Sequence, residues 1–228
     1  LVSVIIPMYK SVRYIAAALE SVYAQEFTSF EIIVVDDGST DGSADIARAH
    51  GTALLLLQEN LGPAAARNAG LREANGTLIA FLDSDDIWLP QKLRLQVDFL
   101  AANPDTAMVI THLEHFLEPG AAIPPWLNPA RLGKPEPSLP PSAWVLRRGV
   151  FDMVGSFDES YRVAEDADWM IRAKDAGIRP HVLDDVLVRK RVHRDNLTAK
   201  VEVAQKSVLA SLRSSVNRQR AAPRAESE

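Results

Sequence analysis

Three carboxylates, Asp83, Asp85 and Asp86, fall within four positions, directly after the apolar run 78–82. Carboxylates held that close repel one another, and at least one resists ionisation unless a cation sits among them. A hard divalent ion with oxygen ligands meets that need. The apolar run reads as a buried strand, and open α/β sheets bind ligands at the carboxyl ends of their strands. Two other strand-like runs also end in residues that can do chemistry. Run 2–6 leads to Pro7-Met8-Tyr9, and run 30–35 leads to Asp36-Asp37-Gly38. Gathered at one sheet edge, Tyr9 can stack on a base and Asp37 can accept from a base N–H or a ribose hydroxyl. Asp85 can hold a metal that neutralises a diphosphate. The plainer reading of Asp37-Gly38-Ser39 is a turn with capping acids.

The elements that must position these residues alternate along the chain. Ser11 is a candidate N-cap for a helix carrying Ile15, Leu19, Val22 and Tyr23 at helical spacing. A short helix after Asp41 is closed by Gly51, and a third strand covers 53–57. Pro63 suits the first position of the next helix, which Gly76 ends. A further helix starts near Pro90, with Leu93, Val97 and Leu100 on one face. This alternation predicts an α/β fold with a mostly parallel, doubly wound central sheet flanked by helices. Handedness then brings the strand ends to a common edge.

The pattern changes after Ile110. Eight of the fourteen prolines lie in 119–141, which excludes a regular helix or central strand and predicts a long functional loop. Order returns at Ala143. A helix over 166–176 ends at Gly177, strand-like stretches follow at 181–183 and 186–192, and 200–220 reads as an amphipathic helix. Its stripe is Val201, Ala204, Val208, Leu212 and Val216. Residues 221–228 read as a disordered tail.

A chain of 228 residues with 47% hydrophobic content supports one large domain with its own core. A net charge of −5 argues against nucleic acid as a partner. The absence of cysteine removes disulfides and thiolate metal sites and points to the cytoplasm. No apolar stretch reaches the length of a membrane span. The chain opens inside a strand pattern, as expected of a domain taken from a longer protein. Lys200, Lys206, Arg213, Arg218 and Arg220 accompany the terminal stripe. Such a helix packs on its own domain or a neighbour, or makes peripheral contact with the anionic inner face of a membrane. Nothing in the sequence fixes an oligomeric state.

A second acidic group, Glu165-Asp166-Ala167-Asp168, opens the predicted 166–176 helix. The helix dipole alone favours acids there, and a general base needs the same residue type. His193 can bind a metal as a neutral imidazole or stand as a surface residue. Indole faces stack on sugar rings. Trp88 is expected in the core, Trp126 is evenly balanced between packing and acceptor contact, and Trp169 is open to either. His50, His112, His115 and His181 carry no assigned role.

Four stretches, in order and spacing, resemble the motifs of family 2 glycosyltransferases. They are Ser3-Val4-Ile5-Ile6-Pro7-Met8-Tyr9, Val34-Val35-Asp36-Asp37-Gly38-Ser39-Thr40-Asp41, Asn60-Leu61-Gly62-Pro63-Ala64-Ala65-Ala66-Arg67-Asn68-Ala69-Gly70 and Phe81-Leu82-Asp83-Ser84-Asp85-Asp86. The resemblance covers nearly all of 1–100 and resumes more loosely over 146–198. It implies the GT-A fold, with one catalytic domain over 1–198. Within it, 1–100 forms a nucleotide-sugar half and 101–198 an irregular acceptor half, followed by a helix over 199–220. It also implies inverting transfer from a nucleotide-sugar donor, expected to be a UDP-sugar, with Mn²⁺ or Mg²⁺ as cofactor. The acceptor is a glycan or lipid-linked saccharide, in cell-surface glycan synthesis.

By the same resemblance, Pro7 and Tyr9 line the base pocket and Asp37 pairs with the base. Arg67 lies near the base or diphosphate. Asp83 approaches the ribose and metal, and Asp85 is the principal metal ligand. His193, in a His-x-x-Asn stretch that closes over the diphosphate, is a further ligand. Asp166 is the general base, and Glu165 orients it or the acceptor. Asp86 caps the next helix or joins the metal. Lys10 stands where the family often has Asn, which can alter the nucleotide loop. Three rivals compete. A sugar-1-phosphate nucleotidyltransferase is expected to carry a Gly-rich phosphate loop, which 7–11 lacks. A glycoside hydrolase uses two carboxylates and needs neither metal nor nucleotide. A catalytically inactive nucleotide-binding module needs no base.

Overall fold

Short β-branched and aliphatic runs form the parallel strands that the alternation predicts. In the computed structural model, which describes residues 1–51, 54–194 and 196–221, these are β1 (Val2–Met8), β2 (Phe30–Asp36), β3 (Leu54–Leu57) and β4 (Leu78–Phe81). They pair in parallel in the order β3-β2-β1-β4. β1 lies between two neighbours and is buried along almost its whole length, so its sequence is a near-continuous apolar run. Helices α1 (Ile15–Tyr23), α2 (Ser43–Ala49) and α3 (Pro63–Glu73) make the crossovers. Ser11 is not the expected side-chain cap of α1. Its carbonyl receives the N–H groups of Tyr14 and Ile15, while its hydroxyl bonds Tyr9 and Ser84 across the sheet edge.

Beyond β4 the sheet becomes mixed. The remaining elements are β5 (Ile87–Trp88), α4 (Lys92–Ala102), β6 (Met108–Leu117), β7 (Glu136–Pro137) and β8 (Val145–Arg147). Then follow α5 (Val150–Val154), α6 (Glu165–Asp175), β9 (His181–Val192) and α7 (Val201–Ala221). The strand order continues β4-β8-β6-β9-β5, with β7 on β6. β8 is antiparallel to β4 and β6, whereas β6 and β9 run parallel. β6 occupies the place where the sequence pattern faded, because half-buried His112 and Glu114 break its apolar run. The two stretches expected at 181–183 and 186–192 are one strand. Leu183 and Val186 pair with successive residues of β6, so Asp184 and Asp185 bulge out.

The core beneath the site is aromatic. Phe81, Trp144, Phe151, Phe157 and Trp169 contact one another with ring centroids 5.1–6.4 Å apart. Trp169 therefore belongs to the core, as does Trp88, which is buried and donates to the Ser142 carbonyl. α7 corrects an expectation. Val201, Leu212 and Val216 are nearly half exposed, whereas Ser211 and Ser215 are buried. Hydrogen bonds choose the face: Ser211 donates to Tyr161, and Ser215 and Arg218 donate to Asp175 on α6. No helix of the described residues is long and apolar enough to cross a membrane. The tail expected to be disordered lies, from 222 onward, outside the described residues.

Gly70 lets α3 lie against β1, since a Cβ there would stand 2.4 Å from Ile5 Cγ2. Gly70→Ala is expected to destabilise the fold by about 1–3 kcal/mol. Urea unfolding checks this as a lowered midpoint with an unchanged slope.

Candidate active site

The ends of β1, β2 and β4 meet at one edge. Asp37 follows β2, is buried, and receives Gln58 Nε2 (2.7 Å), Leu61 N (2.8 Å) and Gly62 N (2.8 Å). Its carboxylate thus fixes the loop that enters α3. Pro7 lies within β1 opposite Val35, and Tyr9 just beyond is 46% exposed. Lys10 has φ 49° and places its Nζ 5.2 Å from the Tyr9 ring centre. Asn enters that left-handed region more readily than Lys, which gives a backbone reason for the Asn expected by resemblance. The β1 end is tied to the acidic loop by a 2.7 Å bond between the Ser11 and Ser84 hydroxyls.

Asp83, Asp85 and Asp86 each bring an oxygen within 4.8 Å of the others. Asp85 Oδ2 lies 2.9 Å from His193 Nε2 and 3.1 Å from Asn196 Nδ2. Asp86 is held differently. It accepts from Arg191 N (3.1 Å) and Ser142 Oγ (2.8 Å), with Lys190 Nζ 3.5 Å away. It does not cap α4, whose N-cap Gln91 makes no side-chain cap bond. Buried beneath β9, its carboxylate takes the donors of that strand instead. Lys190 Nζ also lies 3.8 Å from Asp83. Burial pushes Asp86 up to about 7; Lys190 opposes the rise and the Asp85 and Asp83 charges add to it. Burial also works against Asp85, but the His193 hydrogen bond and the Lys190 charge outweigh it and hold Asp85 below its usual range. Burial alone would lower Lys190, yet the aspartates around it raise it.

Arg67 joins this cluster to the second acidic motif. It is buried, with Nη2 2.7 Å from Asp83 Oδ1 and Nη1 bonded to Glu165. Its guanidinium stands 5.7 Å from the Phe157 ring centre. Glu165 and Asp166 open α6, where Ala164 takes a left-handed φ of 66°. Burial and the Glu165 charge, opposed by Arg67, push Asp166 up to about 6. Asp168 instead pairs with Arg172 at 2.8 Å. Asn68, beside Arg67, donates to the Phe157 carbonyl and Glu159 and accepts from Phe157 N. It clamps the approach to α6 onto α3.

Asp83, Asp85, Asp86, Arg67, Glu165, Asp166 and His193 therefore form one charged cluster, with Pro7, Tyr9 and Asp37 on the adjoining strand ends. Four neighbours had no assigned role in the sequence reading. Lys190 and Ser142 are isolated in sequence and gave no signal. Tyr14 read as part of a helix, yet its ring stacks on His193 at 4.7 Å and lies 5.1 Å from the Arg191 guanidinium. Asn196 was visible only as the last residue of His-x-x-Asn. Carboxylate oxygens with one imidazole suit Mg²⁺ or Mn²⁺. Burial chiefly raises Asp86, and the smaller share that comes from the Asp85 and Asp83 charges is repulsion such an ion would relieve.

Residues 3–155 match the profile of Glycosyl transferase family 2. TuaG of Bacillus subtilis, described as a putative teichuronic acid biosynthesis glycosyltransferase, is 44% identical over 105 residues, which cover 44% of this chain and 42% of TuaG. A glycosyltransferase of Rickettsia felis is 43% identical over 105 residues, covering 45% of this chain and 17% of that protein. One from Rickettsia prowazekii is 29% identical over 211 residues, covering 87% of this chain and 66% of that protein. The chain thus spans under half the length of the first two. Among solved structures, S. aureus TarS with UDP-GlcNAc has a TM-score of 0.77 at 24% identity, covering 95% of this chain and 66% of the TarS chain. The mannosyltransferase PcManGT of Pyrobaculum calidifontis, with GDP-Man and Mn²⁺, has a TM-score of 0.73 at 21% identity, covering 95% and 64%. The shared architecture is the GT-A fold.

Removing Arg67 leaves buried Glu165 without its arginine partner and Asp83 with only Lys190, 3.8 Å away. Arg67→Ala is expected to cost about 3–5 kcal/mol, measured by urea unfolding at pH 8, with Arg67→Lys recovering part of the loss.

Proposed function

Because the chain belongs to glycosyl transferase family 2, we propose that it moves a sugar from a UDP-sugar to an acceptor hydroxyl by one direct displacement, with inversion. The observation that carries this reading is the Arg67 bridge. It sets the metal-type acids at Asp83 and the base-type acids at Glu165 and Asp166 around one buried cation. The UDP assignment draws on TarS, solved with UDP-GlcNAc. The name of TuaG supports a role in cell-surface glycan synthesis, with a glycan or lipid-linked saccharide as acceptor.

In the reaction the acceptor oxygen bonds to the anomeric carbon. The carbon–oxygen bond to the diphosphate breaks, and its electron pair leaves with the diphosphate. The hydroxyl proton passes to the Asp166 carboxylate. A value of about 6 makes Asp166 a better base than a free carboxylate while leaving it ionised at neutral pH. Glu165, tied to Arg67, fixes the start of α6 and so the position of Asp166. Pro7, Tyr9 and Asp37 face the base. Arg67 Nε, buried without a partner among the described residues, is a donor available to the donor substrate. Asp85, with Asp83 and His193, would hold Mn²⁺ or Mg²⁺, which supplies positive charge for the departing diphosphate.

Asp166→Asn should lower kcat by about 10²–10⁴-fold while keeping the UDP–Mn²⁺ thermal shift; near-wild-type turnover refutes the assignment. Asp85→Ala should abolish the Mn²⁺-dependent part of that shift. Because the base must be ionised, wild-type kcat should fall as pH drops through about 6. Asp86 is raised from 3.8 to about 7, so the native state keeps a proton that the unfolded chain has shed. Metal-free stability should therefore decline as pH rises from about 4 through 7. Mn²⁺ should then raise the melting temperature more at pH 8 than at pH 5.5, which differential scanning fluorimetry can check.

A further inference from the structure

The proline-rich segment 119–141 folds back over β6 and β9. Together they enclose a cavity of about 230 Å³, walled by Leu113 and His115 of β6, Trp126, Glu136 and Leu139 of the segment, and Lys190 of β9. Lys190 is also part of the acidic cluster, 3.8 Å from Asp83 and 3.5 Å from Asp86. The cavity therefore adjoins the groups that carry the transfer.

Its polar lining is incomplete. Trp126 Nε1 and His115 Nδ1 on the wall, and Ser138 Oγ between Pro137 and Leu139, are buried without a hydrogen-bond partner among the described residues. His115 Nδ1 is 3.1 Å from Glu136 Oε1 but lacks the alignment of a hydrogen bond. Glu136 instead receives Arg131. His115 and Ser138 are only 6% and 1% exposed. Buried polar atoms are rarely left unpaired, and one that is carries an uncompensated desolvation cost. Unpaired polar atoms beside an indole complement a polyhydroxylated ring, which offers an apolar face together with donors and acceptors. The volume falls below the roughly 300–1,000 Å³ of drug-sized sites, which favours one ring. The wall cations are already neutralised, Lys190 by aspartates and Arg131 by Glu136, which favours an uncharged one. Trp126 also lines a second cavity of about 340 Å³ with Arg194, a path for the rest of an extended molecule.

We propose that this cavity is the acceptor subsite and takes one neutral pyranose ring, seated against Trp126 and hydrogen-bonded by His115 and the indole N–H. The word acceptor rests on the transferase reading, whereas ring binding does not.

The test is saturation-transfer NMR on the full chain without nucleotide, using methyl glycosides of glucose, galactose, mannose and N-acetylglucosamine, with methyl glucuronide as the charged control. At least one neutral glycoside should bind and the glucuronide should not. Trp126→Ala should weaken binding at least tenfold, and Trp126→Phe, which keeps a ring but loses the N–H, should fall between. Circular dichroism melts confirm that the variants fold, and UDP with Mn²⁺ should stabilise Trp126→Ala as it does wild type. Failure of every neutral glycoside to bind wild type, equal binding by Trp126→Ala, or displacement of the glycoside by UDP overturns the proposal. A wild type that ignores UDP and Mn²⁺ sinks the transferase reading instead and leaves the glycoside result to decide the cavity.

Discussion

The site depends on keeping five carboxylates close together, two of them buried and three half-buried. Asp83, Asp85, Asp86, Glu165 and Asp166 cannot all ionise there without compensating charge. The fold supplies two cations. Arg67 rises from α3 between Asp83 and Glu165, and Lys190 reaches from β9 between Asp83 and Asp86. Burial outweighs that compensation at Asp86 and Asp166, whose pKa values stay raised. Asp86 adjoins the acids proposed to hold a metal, and Asp166 is the proposed base.

Arg67 comes from helix α3 behind the parallel strands and Lys190 from β9 among the mixed strands, so the cluster also joins the two halves. β4 delivers Asp83, Asp85 and Asp86 beyond its carboxyl end, and the start of α6 delivers Glu165 and Asp166. The mixed strands deliver Lys190, Arg191 and His193 along β9 and just beyond it. The aromatic group of Phe81, Trp144, Phe151, Phe157 and Trp169 fills the space beneath. It links β4, which carries Asp83 at its end, to α6, which carries Asp166 at its start. Asn68 reinforces the same junction from α3. A close-packed apolar floor under the charged cluster adds to the hydrogen bonds that keep the acids in register.

The family match ends at residue 155, before Asp166, Lys190 and His193 are reached. The TarS and PcManGT superpositions extend over 95% of the chain, so the later elements still follow a shared architecture. The proline-rich segment lies between the motifs. Its irregular backbone leaves Trp126 and Ser138 with polar atoms that have no hydrogen-bond partner among the described residues.

The sequence by itself determined the parallel half and its acid-bearing loops, because buried strands announce themselves as apolar runs and the acids follow directly after them. It located Asp37, Asp83, Asp85 and Asp166 by local pattern and resemblance. It did not show β6, since His112 and Glu114 break the run, nor the continuity of β9 across the Asp184-Asp185 bulge. It also misread α7, whose serines turn inward, Ser211 to Tyr161 and Ser215 to Asp175 of α6. Only the tertiary structure decided that Arg67 bridges Asp83 and Glu165, that Asp86 turns to β9 rather than to α4, and that Lys190, Ser142 and Tyr14 belong to the site. Those are contacts between residues far apart in the chain, and their energies depend on shared burial and charge, which no local window of sequence contains.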